Sequence, residues 1–152
     1  MADLKSVLTE PSRRRQVVKD AEALLDAEVD SKGGLSGLAI KGAFKVVKSF
    51  RPGIIPDTID GLLDDFANRL DPFYQDHATK GGGRSIPDYL TSRKSEIADA
   101  LLAITDGRAR VTRHTTLKSA YEKLRPEAKK HVEAAVPGVG RLIEKHARAA
   151  SA

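Results

Sequence analysis

Apolar residues recur at intervals of three and four along most of the chain, and this helical period constrains the fold more than any other feature of the sequence. The pattern is clearest in residues 57–71. There the apolar side holds Ile59, Leu62, Leu63, Phe66 and Leu70, and the polar side holds Asp57, Asp60, Asp64, Asn68 and Asp71. Only residues 110–116 look briefly strand-like, and a lone strand has nothing to pair with. The sequence therefore predicts a single all-α domain over residues 1–152, a compact bundle of roughly six to eight helices.

Two further helices are predicted ahead of this one. In residues 13–30 the apolar arc consists of Val17, Val18, Ala21, Leu24, Leu25 and Val29, with Lys19, Asp20, Asp26 and Asp30 opposite. Residues 35–50 form the next helix, and its predicted core-facing side consists of Ala39, Ala43, Val46, Val47 and Phe50. Gly33 and Gly34 separate the two helices, because glycine adopts the left-handed conformation at a helix end without a steric penalty.

Proline predicts additional helix starts in the second half of the chain. Asp71 followed by Pro72 is typical of a cap and a first helical residue, which predicts a short continuation in a new direction over residues 73–77. Pro126 and Pro137 each predict a further helix start. The last third of the chain is therefore expected to form three short helices.

Two segments are predicted to be mobile. Residues 79–84 contain three consecutive glycines and are the best candidate for a hinge. Residues 147–152 are expected to fray, because terminal residues without apolar anchors are poorly held.

The absence of cysteine from the 152 residues excludes a disulfide framework, a zinc finger, an iron–sulfur site and a thiol nucleophile. The longest run without a charged residue, 33–40, is far shorter than the roughly 20 residues of a membrane span. No apolar leader segment follows Met1. We therefore expect a cytoplasmic protein.

Positive charge is concentrated in the last third of the chain. Residues 1–106 have a net charge of −2 and residues 107–152 a net charge of +7. Such a split is one signature of nucleic-acid binding. However, Tyr121 is the only aromatic residue after Tyr89, and the basic residues fall on several helix sides. Non-specific nucleic-acid binding is therefore an alternative function and not the favoured one.

The glycine-rich loop before the second helix is a candidate anion site. Exposed backbone N–H groups at a helix start can hold a phosphate, and the predicted ligand residues are Glu28, Lys32, Gly33, Gly34 and Ser36. The loop matches no phosphate-binding motif, and glycine at a helix end is the commoner reason for such a run. Glu28 lies on an apolar arc, so it is either a ligand-gripping acid or a carboxylate paired with a nearby cation.

Two stripes of opposite charge form a candidate interaction surface. The basic stripe consists of Lys41, Lys45 and Lys48, and the acidic stripe consists of Asp57, Asp60 and Asp64. Both stripes have helical spacing and are expected to face solvent. We expect them to meet across an interface between two subunits.

Four segments resemble a family of small actinobacterial cytosolic proteins that is uncharacterised. They are DAEVDSKGGLSGLAIK at 26–41, DPFY at 71–74, ADALLAITD at 98–106 and AYEKLRP at 120–126. The resemblance spans most of the chain. It implies a bacterial cytoplasmic setting and assigns no catalytic residue.

No residue pattern in the sequence indicates catalysis. His146 falls on the apolar side of its predicted helix, with Leu142 and Ile143. The four histidines form no H-E-x-x-H or other metal motif, and no G-x-S-x-G sequence marks a nucleophilic serine. We therefore predict no catalytic residue, no metal site and no cofactor. The favoured function is that of a helical interaction protein that binds itself or another protein, with nucleic acid or a small anion as the alternative ligand.

Overall fold

The computed structural model describes residues 3–151, and helices account for most of them. The seven helices in this range are α1 (Leu4–Thr9), α2 (Pro11–Ser31), α3 (Gly34–Phe50), α4 (Ile54–Lys80), α5 (Ile86–Ser92), α6 (Lys94–Val111) and α7 (Thr115–Ser151). No strand occurs among these residues. The predicted all-α fold is therefore confirmed.

One hydrophobic core is shared by every helix except α3. Its buried residues are Leu4, Val7 and Leu8 of α1, Val17 and Val18 of α2, Leu63, Ala67, Leu70 and Tyr74 of α4, Tyr89 and Leu90 of α5, Ile97 of α6, and Val136 and Ile143 of α7. The two core residues of α7 both lie in its C-terminal half. The core therefore lies between α1, α4, α5 and that half of α7, while α3 packs outside it.

The predicted breaks at proline were wrong. Pro72 lies inside α4, and Pro126 and Pro137 lie inside α7, which runs for 37 residues. A proline inside a helix removes one backbone hydrogen bond, but packing on both sides can hold the helix together. Around Pro126 this support comes from α6, because Tyr121 and Arg125 bind Asp106 on one side of it and Lys129 binds Asp99 on the other.

Asp71 does not cap a new helix as the sequence predicted. Its Oδ1 accepts a hydrogen bond of 2.9 Å from the backbone N–H of Leu4, at the start of α1. The side chain of Gln75 donates to the same oxygen over 3.1 Å. Because the first N–H groups of a helix have no partner within it, Asp71 attaches the N-terminus of α1 to α4.

The segment predicted as a hinge is partly helical, since α4 continues to Lys80. The backbone N–H of Arg84 donates to Gly81 O over 3.1 Å, and the His77 ring lies 2.7 Å from Arg84 O. Motion at residues 79–84 stays a prediction. Fraying of residues 147–152 also stays a prediction: residues 147–151 are helical, and Ala152 lies outside the described residues.

Asp20 lies in a different environment from the solvent-facing side that the sequence predicted. Its Oδ2 is 2.8 Å from Lys145 Nζ and 2.8 Å from His146 Nε2, so it connects α2 to α7. His146 is only 3% exposed, which agrees with its predicted place on the apolar side of its helix. In the described part of the chain, no helix combines the length and the apolar character that a membrane span requires.

Candidate interaction site

Helix α3 exposes most of its apolar surface. Gly37 is its only buried residue, whereas Leu35 is 87% exposed, Leu38 69% and Val46 45%. The predicted core-facing side was therefore wrong for Ala39, Val46 and Phe50, which are exposed. Helix α3 is apolar on two sides. It turns the side with Gly37, Ile40, Phe44 and Val47 inward, and this leaves the second apolar side uncovered.

A groove separates this uncovered side from the N-terminal half of α7. At one end, Ser36 Oγ of α3 lies 2.9 Å from His131 Nε2 of α7. At the other end, the Phe50 and His114 rings meet edge to face with centroids 5.0 Å apart. Because Ser36 contacts His131 of α7 and Phe50 contacts His114, the residue just before α7, the two helices run antiparallel and a contact closes each end of the groove.

Small and apolar residues line the groove, which has a volume of about 790 Å³. The wall from α3 consists of Leu38, Ala39, Gly42, Ala43 and Val46, and the wall from α7 consists of Thr115, Thr116, Ser119, Ala120, Lys123 and Leu124. A Cβ atom added to Gly42 would meet no atom within 4 Å. The centre of the groove is therefore open space that a side chain from outside can enter.

A second depression of about 450 Å³ adjoins the groove at the start of α3. It is lined by Lys32, Gly33, Gly34, Leu35, Leu38 and Lys41, and Leu38 belongs to both. The charged residues that line the two depressions are Lys32, Lys41 and Lys123, and no carboxylate lines either of them. Within residues 3–151, Lys41, Lys45 and Lys123 form no salt bridge. The combined surface is therefore apolar along its length and positive at its edges.

The predicted anion-site residues lie next to this groove, and their polar side chains already have partners. Lys32 Nζ is 3.3 Å from Glu28 Oε2, so Glu28 pairs with a cation at the end of its own helix. Ser36 forms a hydrogen bond with His131, as described above. A Cβ atom on Gly37 would come within 2.6 Å of the Lys32 backbone carbon, so glycine is needed there for close packing. Anion binding at this loop stays a prediction.

His131 is a site residue that sequence reasoning missed. It lies 95 positions from Ser36, and no spacing rule connects two residues that far apart. Burial is the main cause that lowers its pKa from 6.5, and the charges of Lys32 and Lys130 add to this effect. A neutral ring at pH 7 fits its position beside the serine hydroxyl and an apolar groove.

The acidic stripe is engaged within the chain, and the basic stripe is engaged only at Lys48. Asp60 and Asp64 both bind Arg14 of α2, at 2.7 and 3.1 Å, and Asp57 lies 2.9 Å from Arg51. On the basic stripe, Lys48 Nζ lies 3.3 Å from Asp26 and 4.5 Å from the Phe44 ring centroid. An interface between the stripes stays a prediction, and Lys41 and Lys45 are the members that have no salt-bridge partner within residues 3–151.

No three His, Asp or Glu side chains among residues 3–151 come together as metal ligands. The site is therefore a shaped, positively edged surface with one Ser–His hydrogen bond at its end. The site can bind an extended apolar ligand by burying the ligand's apolar surface, and the lysines of the site can favour a ligand of negative charge.

Comparison with known proteins gives a family without an assigned activity. No curated protein and no solved structure matches the chain. The sequence model of one family of unknown function, DUF6918, matches residues 4–147, which include all of α1 to α6 and most of α7. The chain therefore belongs to the DUF6918 family of unknown function.

Proposed function

We propose that this protein acts by binding another protein, and that the groove between α3 and α7 is the docking site. The observation that carries the proposal is the exposure of Leu35, Leu38 and Val46 along a groove that small residues keep open. Large contiguous apolar patches are rare on proteins that work alone and are typical of interaction sites. We place this activity in a bacterial, actinobacterial cytoplasm, as the sequence resemblance implies.

The total accessible surface supports the same proposal. It is 8662 Å² for a chain of 16.4 kDa, whereas a folded monomer of this mass has roughly 7,500 Å². The excess is on the order of 1,000 Å². Each partner in a standard protein–protein complex buries about 800 Å². The excess, which belongs to the whole chain, is therefore comparable to the surface that one partner buries in a standard complex.

Nucleic-acid binding by the C-terminal third is less well supported. Of its eleven basic residues, six form salt bridges with carboxylates of the same chain: Arg108, Arg125, Lys129, Lys130, Lys145 and Arg148. Cations that are already paired release fewer counterions when they meet a phosphate backbone. This function remains the alternative, and a gel shift at low salt would reveal it.

The groove can be tested with a probe helix of no net charge. The probe is an 18-residue fluorescent peptide with leucine at every a and d position and glutamine and alanine elsewhere, and binding is measured by fluorescence polarisation. We expect the natural chain to bind it. We expect Gly42→Leu to abolish binding, because the new side chain fills the groove centre, where a Cβ atom has no neighbour within 4 Å.

Gly61→Leu is the matched control. Gly61 also lies inside a helix, α4, and a Cβ atom there also meets no atom within 4 Å, but Gly61 lines neither depression of the site. We expect this variant to bind the peptide as the natural chain does. No binding to the natural chain, or equal binding by Gly42→Leu, would contradict the proposed function.

A further inference from the structure

We infer that the groove between α3 and α7 takes an acidic amphipathic helix of a different protein. This inference rests on the proposed function and adds the shape, the charge and the origin of the partner. Three observations carry it: the geometry of the groove walls, the lysines at its edges, and the unsuitability of a second copy of this chain.

The shape of the groove fits a helix. Its two walls are antiparallel helices tied at Ser36–His131 and Phe50–His114, and the 14 residue steps from Ser36 to Phe50 span about 21 Å. A third helix of four turns has the same length. Ala39, Gly42, Ala43, Ser119 and Ala120 are small enough for such a helix to approach both walls at the usual 8–10 Å between helix axes.

The charge of the groove selects an acidic occupant. Lys123 of α7 lines the groove itself and Lys41 of α3 lines the adjoining depression, so each of the two helices contributes a cation to the combined surface. An apolar stripe with glutamate or aspartate on both flanks would fill the groove and pair with these lysines. A basic helix would be repelled by the same lysines.

A second copy of this chain is a poor occupant. Two copies related by a two-fold axis would bring the same surface of each chain together, so Lys41 and Lys123 of one copy would meet a surface that carries the same lysines and no carboxylate. The acidic stripe of a second copy is no better suited. Its Asp57, Asp60 and Asp64 are bound by Arg51 and Arg14 of their own chain.

An anionic membrane would also attract lysines, but the shape of this surface does not suit it. The apolar lining lies between two helices, and a flat bilayer would leave the concave centre at Gly42 unfilled. A helix enters the concave centre and covers Leu38 and Val46 together. The structure therefore favours a protein helix over a lipid surface.

The test uses two charged versions of the leucine probe with the full-length chain. In one the flanking positions are glutamate, and in the other they are lysine. We expect the glutamate peptide to bind at least about tenfold more tightly than the lysine peptide at 50 mM NaCl. We expect the ratio to fall below about threefold at 500 mM NaCl, because salt screens exposed charge pairs.

The double variant Lys41→Gln/Lys123→Gln separates charge from shape. We expect it to lose the preference for the glutamate peptide and to retain affinity for the uncharged glutamine peptide. If both charged peptides bind the natural chain equally and Gly42→Leu abolishes both, the groove docks helices and the charge inference is wrong. If no peptide binds, including the uncharged one, the proposed function itself fails.

Two further measurements test whether the groove binds a second copy of this chain or a membrane instead of an acidic helix. Sedimentation velocity of the natural chain at about 50 µM, compared with Gly42→Leu, reports on self-association. A dimer that Gly42→Leu dissociates would make a second copy the occupant and overturn the inference. Co-sedimentation with vesicles containing phosphatidylserine, abolished by Gly42→Leu but not by Gly61→Leu, would assign the surface to a membrane and also overturn it.

Discussion

At the scale of single residues, the contact between Asp20 and α7 shows what a helical wheel can and cannot predict. The apolar period placed His146 correctly at the core but placed Asp20 in solvent. A wheel gives the direction of a side chain from its own helix axis, but it does not give the neighbour in that direction. His146 lies 126 positions from Asp20, and only the folded chain brings them together.

We predict that Asp20→Asn lowers the free energy of unfolding by about 1–3 kcal/mol at neutral pH, because His146 is buried and loses a carboxylate partner. Burial alone would raise the pKa of Asp20, but hydrogen bonds from Lys145, Gln16 and His146 outweigh it and lower the pKa below 3.8. The stabilisation from this site is therefore present above pH 3.8 and is lost as the pH falls through the lower pKa of the folded state.

Urea unfolding between pH 7 and pH 2.5 measures both effects. The natural chain should lose stability below pH 4 more steeply than Asp20→Asn does. Asp30→Asn is the control, because Asp30 is an exposed aspartate on the same helix, and its change should stay within about 0.5 kcal/mol. Parallel pH curves for the natural chain and Asp20→Asn would refute the assignment.

At the scale of helices, glycine has different roles where α7 packs against α5 and where α3 borders the groove. A Cβ atom on Gly140 would lie 2.5 Å from the Cα atom of Pro87, so glycine is required where α7 crosses α5. A Cβ atom on Gly138 would meet the Cδ1 atom of Leu24, a flexible side-chain end that can move. Gly42 in α3 has no such neighbour, and no packing reason for glycine exists there.

We predict that Gly140→Ala lowers the free energy of unfolding by about 1–3 kcal/mol, because the Pro87 backbone cannot give way. Gly42→Ala should instead raise it by about 0.5–1 kcal/mol, since alanine loses less backbone entropy in a helix. Thermal and urea unfolding of the two variants measure the difference. Equal changes of the same sign would show that the contact between α5 and α7 is looser than described.

The helix boundary predicted from Gly33 and Gly34 was right, and three boundaries predicted from proline were wrong. Gly33 precedes α3, as the glycine pattern predicted. Pro72, Pro126 and Pro137 did not end helices, because contacts on both sides outweigh one lost hydrogen bond. Ala39, Val46 and Phe50 of α3 were also predicted wrongly as core-facing, since a helix with two apolar sides does not reveal which of them is covered.

At the scale of the whole molecule, packing is uneven along α7. All buried residues of this helix, within the described chain, lie at or beyond Val136, and its first 21 residues, from Thr115 to Ala135, include none. The all-α fold followed from periodicity, which is a local property. The groove did not, because it depends on how α3 and α7 pair over almost 100 positions.

We predict that the rate of backbone hydrogen exchange differs between the two parts of α7 in the same way as burial does. Amides of α3 and residues 115–135 should exchange at least about tenfold faster than those of residues 136–147, because few buried contacts hold them closed. Adding the glutamate peptide should slow exchange in the first group and leave the second unchanged. Uniform protection along α7 would contradict the division.

The length of α7 has a mechanical consequence. Its C-terminal half is fixed in the core, and its N-terminal half extends from Pro137 to Thr116 over about 31 Å as one wall of the groove. Proline is a common point of helix bending. A bend of about 5° at Pro137 would move Thr116 by about 3 Å, which is comparable to the difference between a small and a large side chain. A small bend at Pro137 would therefore change the width of the groove while the C-terminal half of α7 stays fixed in the core.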